Sequence, residues 1–458
     1  MNSVNFFVHN YFIATSPEAE NAPIVLTGVL LSLVIIYLAS KLGGEICNRV
    51  NLPPVLGELI GGVIIGISVL HLIVLPEGGA TADDSVVMAI LQKINPVTPE
   101  SLSSIFNSSG EIISVLAELG VIVLLFEIGL ESDLKELQKV GIQATIVAFV
   151  GVVAPFAGGT IGLMALFHVP AIPAIFAGAA LTATSIGITS KILSEIGQLK
   201  STEGQIIVGA AVIDDVLGII VLAVVASLAK TGEIDIANVI YLIISSTVFL
   251  LGAILLGKVF NTTFIKVVQQ LKTRGSVVIP AFIFAFFMAF LANAIHLEAI
   301  LGAFAAGLVL DETDTKNELE EQVIPIADIL VPIFFVTVGA KADITVLNPF
   351  IAENKEGLII ATFLLVVAII GKVITGWAVF GVPNVNRLGI GIGMIPRGEV
   401  GLVFAGIGTA SGALSKPLEV AIIIMVITTT FLAPPLLRLV FKDSTDINNN
   451  NEVVKSEA

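Results

Sequence analysis

Residues 210–222 read AAVIDDVLGIIVL, so two adjacent carboxylates, Asp214 and Asp215, interrupt a run that is otherwise apolar. What they mean depends on the medium around that run. The chain has 458 residues, 56% hydrophobic and 13% charged, with a mean hydropathy of +1.01. Soluble domains carry roughly 25% charged residues. Here apolar stretches of about 20 residues, the length that crosses a bilayer core as a helix, recur from end to end. The sequence reads as an all-α polytopic membrane protein. Its net charge of −15 falls in loops and tails, and nothing is basic enough to hold nucleic acid. One cysteine, Cys47, excludes an internal disulfide, and four scattered histidines do not make a transition-metal site. Residues 1–23 lack a basic start and a small-residue cleavage motif, so they read as an extracytoplasmic segment rather than a leader.

Thirteen transmembrane helices are expected, near 24–41, 53–70, 112–130, 142–166, 172–195, 204–229, 236–268, 277–296, 299–311, 323–340, 357–381, 388–411 and 417–441, with a short tail over 442–458. With the N-terminus outside, 15 Lys and Arg fall in cytoplasmic loops against 5 in outer ones, and Lys372 and Arg397 lie within the membrane. That bias fixes the orientation through the positive-inside rule, with the C-terminus cytoplasmic.

VLGELIGGVIIG (55–66) matches ILGAFAAGLVLD (300–311), aligning Gly57 with Gly302 and Gly62 with Gly307. One span later, GLESD (129–133) matches GAKAD (339–343). Under the orientation above the matched helices run in opposite directions. This predicts two six-helix inverted repeats joined by a linker helix, the seventh span, as in secondary transporters. Such transporters bind ions at broken helices near the midplane, and two segments at equivalent positions are suited to break. ALTATSIGIT (180–189) is dense in hydroxyls, and GIGMIPRGEVGLVFAG (391–406) carries Pro396 among glycines.

An ionised Asp at a helix centre costs roughly 2.5–3.5 kcal/mol, so the pair costs about 5–7 kcal/mol without compensation. A buried carboxylate that ligates a hard cation when ionised and releases it when protonated would justify that cost. Lys372, in AIIGKVITGW (368–377), is the natural counter-charge. The competing uses are a salt-bridged scaffold for the acids and a snorkelling edge position for the lysine. Arg397 and Glu399 flank the break at Pro396. Arg397 is expected to pair with an acid and Glu399 to favour half-helix N-termini, both beside the ion rather than on it. Glu58, Glu118 and Glu127 read as interfacial.

AAVIDDVLGIIVLAVV, the Thr/Ser break, the GK of the eleventh span and the PRGE segment, in that order, resemble the monovalent cation/proton antiporter-2 family over about residues 24–441. The likeness is nearest to bacterial, in particular cyanobacterial, sodium/proton antiporters. It implies a non-enzymatic exchanger in a plasma or thylakoid membrane, moving sodium, and lithium, against protons. Asp215 would be the principal ion ligand and proton carrier, with Asp214 paired to Lys372. Thr184 and Ser185 would lie in the unwound segment beside the sodium site. Carrying both acids implies electrogenic exchange of two protons per sodium. The resemblance further implies a homodimer, with a core (about 112–229, 323–340 and 357–411) moving against dimerisation helices (24–70, 236–311 and part of 417–441). No cofactor is expected. No Gly-rich phosphate loop follows Phe441, which argues against the nucleotide-regulated potassium-efflux relatives. A potassium/proton antiporter of the same fold and a passive cation channel are the alternatives.

Overall fold

In lipid every backbone N–H and C=O must be satisfied within its own segment, so apolar runs of this kind fold as helices. The computed structural model describes residues 17–76, 79–231, 233–311, 313, 316–350 and 354–456. Those residues are helical with short turns and contain no strand. In chain order the helices are Pro17–Arg49 (α1), Pro54–Ile65 (α2), Val86–Ile94 (α3), Pro99–Glu131 (α4), Leu134–Lys139 (α5), Gly141–Leu166 (α6), Ala171–Ala180 (α7), Ile186–Glu195 (α8) and Thr202–Thr231 (α9). They continue as Ile236–Gln270 (α10), Val278–Ala294 (α11), Ala299–Asp311 (α12), Lys316–Lys341 (α13), Asn354–Val373 (α14), Arg387–Gly393 (α15), Glu399–Ala410 (α16) and Lys416–Ser456 (α17).

Among the described residues, eight of these helices (α1, α4, α6, α9, α10, α13, α14 and α17) hold a stretch long and apolar enough to cross a bilayer. The thirteen expected spans include shorter pieces as well. α2 has 12 residues and α12 has 13, below the roughly 17 that span unaided. α2 stops at Gly66, where a Cβ would overlap the carbonyl oxygen of Ala340 on α13. At 35 residues α10 measures roughly 50 Å, well beyond the bilayer core. The predicted tail does not begin where helix ends, because α17 continues past its apolar stretch to Ser456. Most of the N-terminal segment lies outside the described residues.

The helices pack as two bundles. In one, α4 lies against α1, α12 and α13, while α2 packs on α1 and α13, and α11 on α12. In the other, α6 packs on α7, α9 and α14, and α17 on α14, α15 and α16. Glycine sets the closest approaches. Gly62 of α2 meets Gly339 of α13, and Gly307 of α12 meets Gly129 of α4; at each position a Cβ would overlap a backbone carbonyl oxygen of the partner helix. Gly120 of α4 abuts Leu330 of α13 in the same way. Small residues let helix backbones approach in lipid, where dispersion replaces the hydrophobic effect. Gly307→Ala is therefore expected to destabilise the flanking bundle by about 1–3 kcal/mol through overpacking. The check is thermal unfolding in detergent, with Gly252→Ala on α10 as the neutral control because nothing stands within 4 Å of its Cβ position.

Asp133 and Asp343, matched in the sequence repeat, hold equivalent posts. Asp133 caps α5 by accepting from the amides of Lys135 and Glu136, and Asp343 caps the short turn Ile344–Leu347 by accepting from Thr345. His168 and His296 sit two residues past the ends of α6 and α11 with φ of 54° and 64°, a helix-cap conformation, and His71 follows the turn after α2 with φ of 52°.

Candidate ion site at the crossing of two broken helices

The hydroxyl-rich segment 180–189 does break. α7 ends at Ala180 and α8 begins at Ile186. The glycine-proline segment breaks likewise between Gly393 of α15 and Glu399 of α16. Pro396 offers no N–H and disfavours a helical Ile395 before it, which opens the turn. The two breaks then satisfy each other. The Ser185 amide donates to the Pro396 carbonyl at 2.8 Å, Thr184 Oγ1 to the Met394 carbonyl at 3.2 Å, and Thr189 Oγ1 to the Gly393 carbonyl at 3.0 Å. Backbone groups freed by one break thus find partners in the other, as a buried break in lipid requires. α8 and α16 both start at this crossing, so the positive ends of two half-helix dipoles converge there.

α9 passes beside the crossing. At Gly218, one turn after Asp214, a Cβ would sit 3.8 Å from that of Ala183 in the first break. Asp214 is fully buried and Asp215 is 5% exposed. Lys372, also fully buried near the end of α14, places Nζ 3.0 Å from Asp214 Oδ2. Gly151 of α6 makes room for that ammonium group, since a Cβ there would lie 3.2 Å from Nζ. The lysine therefore does not snorkel. Asp214 Oδ1 has no hydrogen-bond partner among the described residues, nor does the buried Ser185 Oγ.

Arg397 departs from expectation. It is 1% exposed, and among the described residues no carboxylate comes within ion-pair distance. Its Nη1 instead donates to the Ala183 carbonyl in the opposite break, and its own carbonyl accepts from Thr430 Oγ1 of α17. A guanidinium has five donors in a fixed fork, so it can answer a bare carbonyl while its charge still acts on Asp214. Sequence reasoning missed Thr430, although three consecutive threonines in an apolar helix (428–430) were a visible signal. The side chain of Glu399 lies outside the described residues. Glu127 and Glu58, read as interfacial, are half-buried against neighbouring helices. Glu127 Oε2 is buried without a hydrogen-bond partner among the described residues, and Glu58 accepts from Ser40 at 2.9 Å. Glu118 is exposed as expected.

A cavity of about 460 Å³ opens between the two bundles at the end where α4 starts and α13 finishes. Its walls include Glu118, Lys341, Thr337, Leu402 and Gly218, the last one helical turn from Asp214 on α9. At the opposite end the seam holds a cavity of about 220 Å³ with apolar walls, among them Leu137, Val212, Phe304 and Leu308.

This chain matches the transmembrane sodium/hydrogen exchanger family over residues 29–442. It belongs to that family. A high-affinity Na+/H+ antiporter of Synechocystis sp., NhaS3, is 61% identical to it over 94% of this chain and 93% of that protein. A Na+/H+-K+ antiporter of Bacillus cereus, GerN, is 33% identical over 89% of this chain and 95% of its own length. The solved structure of the sodium proton antiporter NhaP1 from Methanocaldococcus jannaschii aligns with a TM-score of 0.58, covering 90% of this chain and 97% of that one at 16% identity, a likeness of fold. The exchanger is thus a multi-pass membrane protein of a transporter family rather than of an enzyme family. Its site chemistry is that of hard oxygen donors: carboxylates, hydroxyls and carbonyls, the set that suits a hard cation.

Proposed function

We propose that this exchanger moves sodium, with lithium as a second substrate, against protons by alternating access, the metal and the proton competing for Asp215. The observation that carries the reading is the buried Asp214–Asp215 pair lying against the crossing of the two breaks, with the Lys372 ammonium 3.0 Å from Asp214. Asp214, Asp215, Thr184 and Ser185 supply the sodium ligands. Thr184 gives its hydroxyl proton to Met394 and keeps its oxygen for a cation. Pro396, Arg397 and Glu399 shape the crossing. The second acid makes the exchange electrogenic, with two protons per sodium.

The architecture behind this is thirteen spans in two inverted repeats, with the N-terminus outside, in a plasma or thylakoid membrane. Reciprocal contacts favour the repeat. Gly62 meets Gly339 while Gly307 meets Gly129, which is what a two-fold exchange of the matched elements requires. The flanking bundle is the static, dimer-forming scaffold and the bundle around the site is the moving core. This division assigns α4 and α13 to the scaffold, since they pack mainly on α1, α2 and α12, and α17 to the core. The cavity beside Gly218 then faces outward.

Competition sets the pH dependence. At saturating proton occupancy the apparent KM for sodium should rise about tenfold per unit fall in pH, with the maximal rate little changed. Proteoliposomes compared with sodium, lithium and potassium at several pH values test this. Dissipation of a proton gradient by sodium and lithium is expected. Equal action by potassium would favour the potassium/proton reading, which the name of the Bacillus relative keeps in view. Sodium conduction without proton movement would mean a channel.

A further inference from the structure

α13 carries Leu330, Phe334, Thr337 and Lys341 at the three- and four-residue spacing that shares one helix face. That face meets α4 at Gly120, where a Cβ would overlap the Leu330 carbonyl oxygen and lie 3.5 Å from Phe334 Cβ. Gly339, two residues past Thr337 and so turned roughly 200° away, packs on α2 instead. Thr337 is thereby carried to the α4 side of α13, where it lines the cavity of about 460 Å³ together with Phe334 and Lys341. It is 2% exposed, and its Oγ1 has no hydrogen-bond partner among the described residues. Threonines elsewhere in these helices donate to the carbonyl four residues earlier: Thr145 to Gly141, Thr362 to Leu358 and Thr429 to Met425. Thr337 makes no such bond to Ile333. A buried hydroxyl forgoes stability when it is left unbonded, and this one stands at the wall of a space roomy enough for an ion with part of its water. The same walls include Glu118, Asn293 and Glu298, so two carboxylates face one ammonium, that of Lys341.

We propose that this cavity holds an outer cation site, in which the Thr337 hydroxyl oxygen and the carboxylates of Glu118 and Glu298 receive a part-hydrated alkali cation on its way to Asp215. The inference rests on the sodium/proton reading and extends the ion's path outward from the crossing. Carboxylate and hydroxyl oxygens suit a hard cation. With Lys341 on the same walls the set carries one net negative charge, which raises the local cation concentration. A hold of that strength also lets the ion move on, as a site along a pathway must. Gly218, on the α9 wall one turn from Asp214, adds no side chain to obstruct the inward step.

The test reads binding without transport. Purified Asp215→Asn protein, which lacks the principal ligand, is titrated with sodium chloride while sodium-23 relaxation is followed. Excess relaxation that saturates with sodium is expected to survive in this variant. Adding Thr337→Val, which keeps the shape of the side chain and removes its oxygen, should weaken the affinity roughly five-fold or more, whereas adding Thr337→Ser should leave it unchanged. In proteoliposomes with Asp215 intact, Thr337→Val should raise the KM for sodium by a similar factor at an unaltered maximal rate, since only capture of the ion is impaired. No saturable relaxation in Asp215→Asn, equal affinity with and without Thr337→Val, or an equal loss in Thr337→Ser overturns the site. Should Thr337→Val fail to fold, Glu118→Gln decides, because that side chain is exposed: a several-fold loss of sodium affinity in the Asp215→Asn background supports the site, and no loss refutes it. An exchanger in which Asp215 played no part would still give these affinities, so a failed outer site and a failed transport reading remain distinguishable.

Discussion

Asp215→Asn is expected to reduce sodium-driven dissipation of a proton gradient in proteoliposomes below roughly one hundredth of the parent rate. The substitution keeps the shape of the side chain and removes both of its useful states. An amide neither carries the exchanged proton nor offers a negative oxygen to an alkali cation, so the competition that couples the two flows disappears. Because Asp215 is 5% exposed beside the crossing of the two breaks, no bulk water stands ready to replace the lost charge. Asp214→Asn is the contrasting control. Its carboxylate is engaged by Lys372, so the principal ligand survives its loss. Exchange should persist there with less charge moved per sodium, read as a smaller membrane-potential dependence. Sodium-dependent dissipation at the parent rate in Asp215→Asn would remove the competing-carboxylate mechanism altogether.

The elements of this site were legible in sequence to different depths, for physical reasons. Asp214, Asp215 and Lys372 stand out because charge inside an apolar run is costly and rare. The breaks stand out because Pro396 and the hydroxyls of 182–185 interfere with helical hydrogen bonding in ways that local sequence states. The partner of Arg397 does not stand out: it is the backbone carbonyl of Ala183, and every residue has a carbonyl. The partial burial of Glu127 does not stand out because it comes from packing by elements far from it in the chain, among them α8 and α13. The bundle membership of α4 was hidden for the same cause. Its stripe of small residues marks a close helix contact without naming the partner, and only the approach of Gly129 to Gly307 and of Gly120 to Leu330 ties it to α12 and α13. Local chemistry is written in the chain, whereas the choice among apolar partners is made by shape.

Lys372→Met should be the most destabilising single change near the site, and the reason also identifies its remedy. Lys372 and Asp214 are both fully buried with their charges 3.0 Å apart. Desolvating two ions is roughly offset by their mutual attraction, so the intact pair contributes little net stability; removing one partner leaves the other charged and unanswered, at a cost of about 3–5 kcal/mol. Methionine preserves the length and apolar stem of the lysine, which still packs over Gly151, so the loss measured is electrostatic rather than steric. Thermal unfolding in detergent should therefore rank the parent and the Asp214→Asn/Lys372→Met double variant close together, with Lys372→Met alone well below both. Transport separates structure from function in the same series. If the Lys372 ammonium takes part in the charge balance of the cycle, the double variant, though stable, exchanges with less charge moved per sodium. A double variant as unstable as Lys372→Met would mean that the pair is held by something other than its own attraction, and a double variant with parent-like charge movement would leave Asp215 as the sole titrating group of the cycle.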